Sequence, residues 1–167
     1  MGQEWLILDV AVTATDRHVA TIRRENVFVR TPAGRRVRLA TQAEFVRAYS
    51  GLRSRVRQAG IVASPLLAYF PRVREGCWFQ FFAEPGTSVT FDTVSLNDRR
   101  ACVERLYFHV DGGVPGGRWM LGIDLEDDVL KRDVQQTIVS FDGHRLVDPS
   151  TDEAETRRLL AEAPEPR

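Results

Sequence analysis

Along most of the chain, apolar and polar residues alternate with a period of two, which predicts strands with one face turned to a core. In WLILDVAVTAT, residues 5–15, this period puts Leu6, Leu8, Val10 and Val12 on one face. NVFVRTPAGRRVRLA, residues 26–40, reads as two strands joined at Pro32-Ala33-Gly34, with Arg36 and Arg38 outward and Val37 and Leu39 inward. The run HVATIRR, residues 18–24, predicts a further strand before that hairpin. Others are expected near 88–95, 102–110, 118–125 and 134–141, separated by turn residues at Asn97-Asp98, by a glycine-rich loop and by Glu126-Asp127-Asp128.

Two segments depart from simple alternation. TQAEFVRAYSGLRSRVRQAG carries Phe45, Tyr49, Leu52 and Val56 at helical spacing, and Thr41 with Glu44 three positions later has the form of a capping box. This predicts a helix from Thr41 to Ala59, closed by Gly60, that packs one apolar face on a sheet. GCWFQFFAEPG is apolar on both strand faces, with Cys77, Phe79 and Phe81 on one and Trp78 and Phe82 on the other. A strand covered on both sides loses its alternation, so this one is expected in the middle of the fold; an exposed aromatic shelf is the alternative.

Short strands at this spacing predict a mainly β domain, an antiparallel sandwich of immunoglobulin-like or related type with about eight or nine strands and the helix of about 41–59 on one side. Residues 1–148 are expected to form this single domain and residues 149–167 an acidic, partly disordered tail. The 167 residues, 43% of them hydrophobic, suffice for one core without metal support. No apolar run is long enough for a membrane span. The chain as written is expected in the cytoplasm, and outside it if Met1-Gly2 replaces a removed leader.

The net charge of zero conceals a strong polarity. Residues 17–74 hold 13 arginines against Glu25 and Glu44, giving +11, whereas residues 1–16 carry −3 and residues 75–167 carry −8. Lys131 is the sole lysine among 23 basic residues, a bias that a GC-rich coding genome explains as readily as phosphate binding does. The expected working surface joins Arg30, Arg35, Arg36 and Arg38 of the hairpin to Arg47 and Arg55 of the helix. Its partner would be an acidic protein surface, or Glu126, Asp127 and Asp128 of a second copy. Nucleic acid bound through the arginine-rich N-terminal half is an alternative that the zero net charge disfavours.

Catalytic signatures are scarce. GGVPGGRW, residues 112–119, has both glycines of a phosphate loop but Arg118 for its lysine and Trp119 for its hydroxyl, and alternation after it predicts a strand where a phosphate loop needs a helix. It is expected to be a hairpin connection. His109 and Asp111 share a strand face and, with His144, have the composition of a non-haem iron triad. The 35 positions from His109 to His144 leave room for only about two strands, so a metal enzyme stands as the alternative reading. Cys77 and Cys102 belong to no CxxC or cysteine-histidine cluster; they are either a disulfide or two buried thiols. No cofactor and no small-molecule ligand is indicated, and the expectation is a non-catalytic binding, assembly or accessory module that works through a protein partner or self-association.

Overall fold

The computed structural model describes residues 4–14, 20–59, 75–87, 89–97, 99–127 and 135–143. Asp128, His144 and the expected tail of 149–167 lie outside them. Among the described residues there are eight strands and one helix: β1 (Trp5–Thr13), β2 (Ala20–Arg30), β3 (Arg36–Arg38), α1 (Gln42–Ala59), β4 (Glu75–Trp78), β5 (Thr93–Leu96), β6 (Arg100–His109), β7 (Arg118–Asp127) and β8 (Gln135–Asp142). The mainly β expectation therefore holds, with a three-stranded sheet in the order β1-β6-β4 and a five-stranded sheet in the order β3-β2-β7-β8, β5 pairing with β2 beside β3. All pairs are antiparallel except β4 with β6, which is parallel and departs from the expected antiparallel arrangement.

The two sheets share one core. Leu6, Cys102, Leu106 and Phe108 from the smaller sheet pack with Ile22, Val27, Val29, Trp119, Leu121 and Ile123 from the larger. A second cluster, Phe45 and Leu52 of α1 with Tyr107 and the half-buried Trp5 and Ile7, covers the other side of the smaller sheet. This is why β6 alternates so poorly in hydropathy: Cys102, Leu106 and Phe108 enter one core while Tyr107 enters the other. The helix begins as its cap predicts. Glu44 N–H donates to Thr41 Oγ1 at 3.2 Å, and Thr41 N–H donates back to Glu44 Oε2 at 2.7 Å.

Three expectations need correction. The aromatic segment is not a central strand: β4 stops at Trp78 and forms the edge of its sheet among the described residues, while β6 takes the centre. Gln80 has φ 56°, which ends the extended run, yet Phe79 and Phe81 remain buried on either side of it and Trp78 is left 68% exposed. The described part of HVATIRR, from Ala20, is not a separate strand but is continuous with the hairpin strand through an irregularity between Ile22 and Val27; His18 and Val19 lie outside the described residues. The glycine-rich loop is a turn, but it carries the chain from β6 in one sheet to β7 in the other and so does not close a hairpin. Gly112 and Gly113 take φ 84° and 95° there, conformations that side chains resist.

The Pro32-Ala33-Gly34 turn forms as expected: Gly34 N–H donates to the Thr31 carbonyl at 2.8 Å, and β3 returns with Val29 opposite Val37. On the outward face of the larger sheet, Phe28 lies directly over Gly122, so closely that a β-carbon at 122 would meet its ring at 2.3 Å. The Arg36 guanidinium sits 3.7 Å from the centre of the same ring. Glycine inside a strand is here the condition for an aromatic ring to lie flat on the sheet.

Candidate functional site

The β2–β3 hairpin, the start of α1 and the end of β6 meet around a cleft of about 260 Å³ lined by Arg35, Arg36, Arg38, Glu44, His109 and Asp111, together with Val37 and Ala40. Alternation places this chemistry. Val37 and Leu39 are drawn toward the core, so Arg36 and Arg38 are turned outward, and the tight turn sets Arg35 next to the β6 end. His109 is the last residue of β6, and Asp111 starts the glycine turn.

Each arginine is held differently. Arg38 makes a forked bond to Glu44, 2.9 Å to Oε2 and 2.6 Å to Oε1, which together with the Thr41 cap pulls the Glu44 carboxyl down to about 2. Arg36 rests on Phe28 and approaches Asp124 to 3.6 Å. Arg35 donates to the backbone carbonyl of Asp111 at 3.2 Å, a bond that positions the guanidinium without cancelling its charge. His109 stands between two carboxylates, with Nδ1 3.3 Å from Asp111 and Nε2 3.7 Å from Glu4, and its ring lies against Trp5. The cleft therefore presents fixed cations at a solvent-facing surface, with Glu44 and Asp111 setting their spacing.

Of the residues expected to form the working surface, Arg35, Arg36 and Arg38 converge here. Arg30 lies nearby on β2, 5.6 Å from the Phe28 ring. Arg47 is exposed on α1 and bonds back to the Ala43 carbonyl, outside the cleft lining; the side chain of Arg55 is not among those described. Glu126 and Asp127 end β7, opposite Thr21 and Ala20, whereas Arg30 at the other end of β2 faces Met120. Basic hairpin and acidic strand end thus occupy opposite ends of the same strand pair. His109 and Asp111 are adjacent, but among the described residues no group of three histidine, cysteine or acidic side chains is placed to hold a metal ion; His144 lies outside that set.

Three features escaped sequence reasoning. Arg24, in the irregular part of β2, bonds Asp92 at 2.8 Å, the Ala40 carbonyl at 3.1 Å and the Phe81 carbonyl, and lies over the rings of Phe81 and Phe82. It ties two loops, the β3–α1 connection and the β4–β5 connection, to the sheet. Asp9 and Arg105 face each other across β1 and β6 in a forked pair at 2.7 and 3.1 Å. Glu104 projects from the β6 face that bears Cys102 and Leu106 and accepts the Gln80 N–H at 2.9 Å; burial pushes its carboxyl up to about 7. Cys77 and Cys102, opposite one another in the β4–β6 register, are joined by a disulfide. The disulfide is one of the two states the sequence allowed for these cysteines, whereas for Arg24, Asp9, Arg105 and Glu104 the only hint was a charge within a strand.

No protein-family model, curated protein or solved structure matches this chain.

Proposed function

We propose that the chain is a non-catalytic binding and assembly module that engages an acidic protein surface through the arginine cleft at the β2–β3 hairpin. The observation that carries this reading is the convergence of Arg35, Arg36, Arg38 and His109 around one open cleft. The acidic surface with the best support is the β7 end of a second copy. Arg30 pairs with Met120 and Ala20 with Asp127, so cleft and acidic end lie about 23 Å apart along β7, at ~3.3 Å per residue. Complementary patches at opposite ends favour a head-to-tail contact. A polyanion such as nucleic acid is less well supported, because the net charge is zero and nucleic-acid binding draws on an excess of positive charge.

Such contacts between exposed charges are screened by salt, which supplies the test. Light scattering coupled to size exclusion should give a larger species at about 50 mM salt than at about 500 mM, where the screening length is a few ångströms. Replacing Arg35 and Arg36 by glutamate should abolish that difference. A particle size that ignores salt in the parent chain would overturn the reading.

A further inference from the structure

We infer that β8 is a self-pairing edge, through which two copies join their five-stranded sheets antiparallel about a two-fold axis. Among the described residues β8 pairs on one side only, with β7. Its eight residues, QQTIVSFD, carry no charge before Asp142 and no proline. The other edges are guarded. β3 is three residues long with Arg36 and Arg38 on it, and β5, beside it on β2, has four residues. β4 is four residues long and begins with Glu75. β1 has Asp9 at its middle, and none of its described side chains is fully exposed. Short length and charge are the ordinary means by which sheet edges are kept from pairing, whereas β8 has eight residues and its one charge stands at its last position.

Burial along β8 points the same way. Successive residues face opposite sides of the sheet, and Ile138 and Val139, one on each side, are both 52% exposed. Val139 stands opposite Leu121, on the core side, and Ile138 opposite Gly122, on the outer side. Val139 shares the core side of β8 with Phe141, which packs against the core, yet Val139 itself stays half-exposed. A neighbouring strand would cover both apolar side chains at once.

The sequence of β8 fits a copy of itself. A two-fold axis perpendicular to a sheet must pass between a residue and its own symmetry mate. Centred on Ile138, the pairing sets Ile138 against Ile138, Thr137 against Val139 and Gln136 against Ser140. Centred on Val139, it sets Val139 against itself, Ile138 against Ser140 and Asp142 against Gln136. Neither register opposes like charges, whereas an in-register parallel pairing would place the two Asp142 carboxylates side by side. The contact is backbone bonding plus apolar burial, so it resists salt and stands or falls independently of the arginine cleft.

At about 500 mM salt, which silences exposed charge pairs, the full chain at ~100 µM should scatter as a particle of twice its 18.9 kDa. Ile138→Lys and Thr137→Lys, both at exposed positions, should return it to the monomer mass with an unchanged circular dichroism spectrum. In the parent chain, amide exchange within 135–142 should slow at least about tenfold between ~1 µM and ~100 µM, because association protects only the paired edge. A parent chain that is monomeric at ~100 µM, exchange that is independent of concentration, or a dimer that survives both lysine variants would overturn the inference.

Discussion

Glu104 is a carboxyl that the fold holds where ionisation is opposed. Burial raises it to about 7 despite the Gln80 N–H it accepts and the nearby charges of Arg24 and Arg105. Because the folded value lies above the ordinary 4.5, the protonated form is favoured in the native state. The associated stability is complete below about 4.5 and is lost as pH rises through about 7. Glu104→Gln keeps an acceptor for Gln80 and removes the charge. It should be more stable than the parent at pH 8, by on the order of 1–3 kcal/mol, and the gain should shrink toward nothing near pH 4.5, as read by urea unfolding at both pH values. Equal stability of the two chains at pH 8 would mean that the arginines compensate the buried charge in full. None of this was legible beforehand: a glutamate between Val103 and Arg105 looks like any solvated strand residue until the burial of both faces of β6 is known.

The elements best read from sequence are those with local determinants. The α1 cap was visible because Thr41 and Glu44 are three positions apart, and the hairpin because Pro32, Ala33 and Gly34 specify a turn without outside help. The aromatic segment was misplaced for the opposite reason. Phe79 and Phe81 are buried as expected, but their burial comes from residues elsewhere in the core and from a backbone break at Gln80 that no local pattern announces. The start of α1 offers a test of the local logic. Glu44 caps the helix and grips Arg38, and both contacts favour its ionised form, which lowers it to about 2. Its contribution is therefore present above about 4.5 and lost as pH falls through about 2. Glu44→Gln should cost ~0.5–1 kcal/mol at pH 7, a modest figure because the Arg38 side chain is 62% exposed and water screens the pair. Thermal unfolding should show the difference from the parent closing as pH approaches about 2, and a gap of constant size would assign the effect to the cap geometry alone.

At the scale of the molecule, period-two patterning was enough to predict a mainly β chain with one helix, but not which strands would be neighbours. The cleft was half legible for the same reason. Arg35, Arg36 and Arg38 could be grouped because one hairpin carries them, whereas His109 and Asp111 reach them only because the two sheets pack together. Long-range pairing also makes the disulfide the most consequential single bond. β4 is held to its sheet by four register pairs with β6, and Cys77–Cys102 fixes one of them across a sequence separation of 25. Closing a loop of that length restricts the unfolded chain by about 3 kcal/mol in the chain-entropy account. Reduction, or replacement of both cysteines by serine, should therefore lower the unfolding free energy by about 3 kcal/mol. Amide exchange should accelerate first in Glu75–Trp78 and leave the β2–β7–β8 ladder protected, since that sheet does not use the bond. If reduction instead loosened both sheets together, the shared core would be a single cooperative unit, and β4 would be as integral to it as β6.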